Sequence, residues 1–213
     1  MARRRSPTPH ETDAARDRRP PDLRSAAVGL LVGGAVAVSA LQSVESVEVP
    51  AYDRAAFGGW VDADGDCQDT RAEVLLRDAR GPVTFRRGRE CVVDTGRWLD
   101  VYSGRELRTA SEIDVDHRVP LRAAWAAGAW AWEPGRRRAY ANDLSAGHLV
   151  ATHRSINRSK GSRGPAAWLP PGADRAAVCR YADRWLAVKQ AWGLSLEAVE
   201  VAALRRAWRG CDG

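Results

Sequence analysis

Two adjacent residues, Asp116 and His117, carry the chemistry most readily read from this sequence. A histidine that titrates near neutrality can take a proton from water. A carboxylate beside it supplies a hard oxygen for Mg²⁺ or a similar divalent ion, with waters completing the shell. Phosphodiester hydrolysis uses both, since it needs a nucleophilic water, a proton acceptor and positive charge on the developing pentacovalent phosphate. Further on, Asn157 and Lys160 lie three apart, on one face of any helix that holds them. Lys160 is then placed to contact the scissile or a neighbouring phosphate. Residues 144–173 contain no acid but hold Arg154, Arg158, Lys160 and Arg163, a cluster suited to the phosphates of a polyanion.

That local cluster says more than the bulk charge. The net charge is +6, but half of it belongs to the Arg-rich first 24 residues, so the body is only mildly basic. Apolar residues make up 45% of the chain, including nine Trp, enough for a real core. The basic residues are almost all Arg, a skew of codon composition. Only Lys160 and Lys189 are Lys, and each marks a position where a compact ammonium could be required.

The elements that must position these residues follow from punctuation and period. Asp69 to Asp78 reads as a short helix ended by Arg80-Gly81-Pro82. Val83 to Tyr102 is strand-like, with 91–93 and 98–102 separated by Asp94-Thr95-Gly96. Ile113 to Asp116 alternates as a strand leading into His117. Because neighbours on a regular strand face opposite ways, the chain must turn there for both Asp116 and His117 to serve one site. Leu121 to Trp132 and Arg136 to Ala141 read as helices, Leu149 to Thr152 as a strand, and Ser155 to Lys160 as a helix closed by Gly161. Residues 174–192 and 196–209 form a helical hairpin around Gly193, with Ser195 as the second N-cap.

The segment 114–168 reads Asp-Val-Asp-His-Arg-Val-Pro-Leu, then Ala-Asn-Asp-Leu at 141–144, Leu-Val-Ala-Thr at 149–152, and Asn-Arg-Ser-Lys-Gly at 157–161. It resembles the HNH nucleases, and within them the secreted DUF1524, or GmrSD C-terminal-like, group. Cys67 to Arg71, Gly96-Arg97-Trp98 and Trp168-Leu169-Pro170 extend the resemblance over most of residues 52–171. It implies an α+β fold with a two-strand-plus-helix (ββα-metal) core. It also implies one divalent cation, Mg²⁺ before Mn²⁺, held by Asp116 and by Asn157, where many HNH proteins have His. Asn142 maps to the middle Asn, which fixes the backbone beside the base His117. The expected activity is hydrolysis of DNA, with RNA as a further substrate, and little sequence preference, since no reader module is visible. The competing class is a non-catalytic, envelope-associated module that retains the fold and binds polyanions.

Other residues receive plainer readings. His153 shares a helix face with Asn157 and rivals it as a ligand, but lies outside the motif, so a capping or surface role is expected. Asp114 is either an orienter or an exposed strand residue. Arg71 is read as a salt-bridge partner within 69–78. Asp62, Asp64 and Asp66 with Glu73 have EF-hand spacing, yet Cys67 stands where the sharp turn wants Gly, which favours an acidic turn. Trp125, Trp130 and Trp132 sit in Ala-rich company and are expected to pack rather than stack on bases.

Ala26 to Leu41 carries no charge, and Val38-Ser39-Ala40 offers a signal-peptidase site. Residues 1–40 therefore read as an export signal, with an uncleaved anchor at 26–41 as the alternative. Residues 41–51 read as a linker and 52–213 as the domain, whose core motif is 113–161 and whose hairpin spans 174–211. The location is extracytoplasmic, with membrane contact only if the anchor persists; no stable protein partner is evident. Four cysteines after an export signal suggest two disulfides. Cys179 and Cys211 both lie about 20 Å from the hairpin turn at 1.5 Å per residue, which pairs them and leaves Cys67 with Cys91.

Overall fold

The computed structural model describes residues 48–211 apart from 146 and 173; the signal or anchor expectation and nearly all of the linker lie outside them. Asp69 opens α1 (Thr70–Asp78) by accepting a hydrogen bond from the Ala72 N–H, satisfying one of the free donors of the first turn. The helix buries Ala72, Val74 and Leu75. Leu75 packs against an antiparallel sheet of β1 (Thr84–Phe85), β2 (Val93–Leu99) and β3 (Glu106–Thr109), in that order. There the Trp98 indole donates to the Leu75 carbonyl at 2.7 Å.

β2 runs straight through Asp94-Thr95-Gly96, where a turn between two strands was expected. The glycine serves the core instead: a Cβ on Gly96 would stand 2.6 Å from the Trp98 ring. The pairing with β3 is irregular between Thr95 and Trp98, so the Gly marks a local irregularity that makes room for the indole.

β4 (Ile113–His117) is followed by α2 (Leu121–Ala126) and α3 (Pro134–Ala141) before β5 (Leu149–His153) returns to pair with it. The pairing is antiparallel and unbroken, from Ile113 opposite His153 to His117 opposite Leu149. α4 (Arg154–Lys160) follows β5 directly, so β4, β5 and α4 make a two-strand-and-helix unit within an α+β fold. The Trp-rich stretch packs inward as expected: Trp125 is buried, with Trp130 and Trp132 packed against the same core.

α5 (Arg175–Trp192) and α6 (Ala198–Trp208) form the C-terminal hairpin. α5 ends at Gly193 in the left-handed conformation that favours glycine. α6 is capped not by Ser195 but by Glu197, in a reciprocal box with Glu200. Glu200 also joins a buried cluster, accepting from Lys189 Nζ at 2.6 Å and from the Trp185 indole at 2.7 Å. Ser195 contributes its carbonyl to the same ammonium. The disulfides are Cys67–Cys91 and Cys179–Cys211, the second closing the open end of the hairpin.

Candidate active site

Asp116 and His117 end β4 and line one cavity of about 350 Å³ with Asn157 and Arg158 from α4. His117 Nε2 lies 2.9 Å from the Ala141 carbonyl. A carbonyl only accepts, so Nε2 carries the proton and Nδ1 is the basic nitrogen. The ring is held flat: Trp60 stacks on it at 5.4 Å and 10°, and Tyr140 lies near-parallel at 6.4 Å.

Asn142 makes this arrangement rigid. Its Oδ1 accepts from Val61 N–H at 3.1 Å and Thr70 Oγ1 at 2.7 Å, while Nδ2 donates to the carbonyls of Arg138 and Gly59. One amide thereby sews the end of α3, whose last carbonyl holds His117, to the segment that carries Trp60. It acts on His117 through the backbone and does not line the cavity.

Asp116 is nearly fully buried, and both carboxylate oxygens are engaged. Oδ2 accepts from the Tyr102 hydroxyl at 2.6 Å, and Oδ1 from Lys160 Nζ at 2.8 Å. Lys160 also donates to the His117 carbonyl at 2.8 Å and is 0% exposed. The expectation that Lys160 faces phosphate is therefore corrected. The ammonium is consumed by two buried acceptors, and α4 turns it inward to reach them.

Asn157 Nδ2 donates to Asp114 Oδ2 at 3.1 Å, which assigns Asp114 the orienting role and leaves the amide oxygen as an acceptor. His153 caps α4, its Nδ1 accepting from Ser155 N–H. Arg71 forms no ion pair within α1; it donates to the carbonyls of Ala110 and Ile113, tying α1 to the start of β4. Arg154 and Arg163 are exposed and take no part in the cavity wall, and Arg163 donates to the Lys160 carbonyl. Tyr52, Arg54 and Arg122 do line the cavity, with the Arg122 guanidinium 4.5 Å over the Tyr52 ring. No sequence signal marked these three.

Burial, reinforced by His148 and the charges of Lys160 and Arg54, lowers the His117 pKa to about 3 against the pull of the Ala141 hydrogen bond. Burial likewise lowers His148 to about 4, opposed by Asp143. Both rings are neutral at pH 7, and His117 is a weaker base than the near-neutral histidine expected from the sequence, because burial disfavours its charged form. The unfolded chain, with ordinary histidines, binds protons first as pH falls, so the stability these rings allow is complete above about pH 6.5 and is lost below it. The melting temperature followed by circular dichroism is expected to fall steadily from pH 6.5 to 4. A flat profile would contradict neutral burial.

The donor set suits a hard cation. A carboxylate offers about four acceptor positions, and two on Asp116 are taken by protein donors. Asn157 lines the same cavity with its amide oxygen taking no hydrogen bond among the described residues, and the cavity leaves room for waters. Among the described residues, the one cluster of three acids whose oxygens converge is elsewhere: Asp62, Asp64 and Asp66, exposed, with oxygens within 4.8 Å of one another. Cys67 does adopt the positive φ, 77°, that was expected to require Gly.

The family model described as "GmrSD restriction endonucleases, C-terminal domain" matches residues 69–204, a span holding Asp116, His117, Asn142, Asn157 and Lys160. The chain belongs to this family. It is also 36% identical over 160 residues to a protein of Arthroderma benhamiae described as an "Uncharacterized secreted protein", covering 75% of this chain and 76% of that one. No solved structure matches. The GmrSD C-terminal match begins after Tyr52, Arg54 and Trp60, so these three cavity and stacking residues lie on a segment before the family's matched span.

Proposed function

We propose that the protein is a metal-dependent endonuclease of the HNH (ββα-metal) type that hydrolyses phosphodiester bonds in DNA, and in RNA, with little sequence specificity. His117 is the general base. Asp116 and Asn157 hold a single divalent cation, Mg²⁺ first, whose chemistry is to neutralise charge on the phosphate under attack. The observation that carries this reading is the fixed tautomer of His117: with Nε2–H tied to Ala141, the unprotonated nitrogen is Nδ1, in a ring that borders a cavity shared with both proposed ligands. Arg54, Arg122 and Arg158 line the same cavity and supply charge for the phosphates. Membership of the endonuclease family supports the reaction class.

Asn142, Lys160 and Tyr102 position rather than react. We further propose that the protein is exported; the relative's description as secreted and the two disulfides support this. Among the described residues no helix is long and apolar enough to cross a membrane.

The test is conversion of supercoiled plasmid to nicked circles by the purified protein with Mg²⁺ or Mn²⁺, with RNA in parallel. EDTA is expected to stop the reaction and added metal to restore it. Absence of cleavage across a panel of divalent ions, with DNA still retained, would leave only a polyanion-binding module.

A further inference from the structure

Immediately after His117 the chain places an arginine in an unusual setting. Arg118 is 7% exposed, yet the ion pairs among the described residues do not include it. Its Nε donates to the Gly147 carbonyl at 2.7 Å, and its guanidinium carbon lies 5.7 Å from the Tyr102 ring centre. Its two amino groups meet no hydrogen-bond acceptor among the described residues. A mostly buried guanidinium with no carboxylate partner is placed to pair with an incoming anion.

Arg118 borders a second cavity, of about 320 Å³, together with Arg77, Arg80 and Arg184. The one acid in its wall, Asp78, is already committed: Oδ1 accepts from Arg77, and Oδ2 from the Ala151 N–H. Arg77 is also spent, donating to the carbonyls of Leu144 and Leu149. Arg80 and Arg184 are exposed and make no side-chain hydrogen bond among the described residues. Gly147 allows the closeness of this wall, since a Cβ there would stand 2.8 Å from Arg184 Cδ. Arg180, one turn before Arg184 on the same face of α5, lines the adjoining cavity that Arg80 also borders. Arg118, just after β4, Arg80, just after α1, and Arg184 and Arg180 of α5 thus form a basic track, with Asp174 4.0 Å from Arg180 at its end.

We propose that this cavity is an oxyanion site that grips a backbone phosphate of the polynucleotide away from the bond being cut. Arg118 forms its floor, and Arg80 and Arg184 form its rim. The choice of ligand rests on the nuclease reading, but the site is separate from the His117 cavity: the two share no lining residue. Its effect is on how tightly a long strand is held, with the reaction centre untouched.

The test uses the Arg80→Ala/Arg184→Ala double variant, because both residues are exposed and outside the proposed reaction centre, whereas Arg118→Gln risks the fold. Binding of a fluorescein-labelled 40-base-pair DNA is measured by anisotropy in EDTA across a salt series, and hydrolysis of bis(p-nitrophenyl) phosphate with metal is measured in parallel. The variant is expected to bind DNA about tenfold more weakly at low salt. The slope of log K against log salt should shrink by about 1 to 2, as for one or two lost phosphate contacts. Hydrolysis of the small diester should stay within twofold of wild type. An unchanged affinity and slope overturns the proposal, as does an equal loss of DNA binding and small-diester hydrolysis. A wild type that hydrolyses nothing overturns the nuclease reading instead, while the binding series still decides the second site.

Discussion

His117→Ala is expected to lower the rate of plasmid nicking by about 10²–10⁴-fold, the usual share of a positioned general base. Binding of DNA in EDTA should change little, because the arginines that line the cavity remain. The geometry gives this variant a signature that general damage would lack. The imidazole lies near-parallel to the Trp60 and Tyr140 rings, so its removal leaves a space beside them with the Ala141 carbonyl at one edge. Added imidazole fits that space in the same tautomer, donating to Ala141 and presenting its other nitrogen to water. Millimolar imidazole is therefore expected to restore part of the rate to His117→Ala and none to Asp116→Ala. Full activity in the unrescued variant would remove His117 from the reaction.

The dependence on Ala141, Asn142 and Trp60 shows what the sequence could and could not say about this centre. The unit that carries Asp116, His117 and Asn157, namely β4, β5 and α4, was legible because strand alternation and a helix-closing glycine are short-range signals, whereas the roles given to these residues came from the family resemblance. The disulfides were legible too, since Cys179 and Cys211 lie at similar distances along the chain from the turn at Gly193, which fixes that they meet. Tyr102, Trp60, Arg54 and Arg122 were not. They reach the site from separate elements, and only packing brings them there; an arginine among many in this chain carries no mark of its destination. Asp94-Thr95-Gly96 misled for a related reason: the turn-like composition answers to the width of the Trp98 ring, a tertiary demand invisible to local pattern.

The two lysines are the instructive middle case. Their rarity flagged them, and both prove to be buried beside a carboxylate, Lys160 with Asp116 and Lys189 with Glu200. The flag indicated where a compact ammonium was needed but not what for. Phosphate was the natural assumption for Lys160, given its place one helical turn from Asn157. A buried aspartate and the His117 carbonyl had the stronger claim.

Lys160→Met decides between those roles and is expected to be costly. It would leave Asp116 buried with only the Tyr102 hydroxyl as a donor and the His117 carbonyl without its ammonium. Breaking one side of a buried ion pair costs about 3–5 kcal/mol, and for a domain of this size that lowers the melting temperature by on the order of 10 °C. Burial draws the ammonium below the ordinary lysine pKa, with Asp116 pulling it back. The double variant Asp116→Asn/Lys160→Met removes both charges at once and should recover much of the lost stability without recovering activity, a coupling that a double-mutant cycle reads directly. A lysine reaching out to phosphate would behave in the opposite way: the single variant would melt within about 2 °C of wild type, and its DNA affinity would lose about one phosphate contact in the salt series. Either pattern is unambiguous. The first would mean that Asp116 is held in place before any cation arrives, by the same ammonium that fixes the backbone of the base.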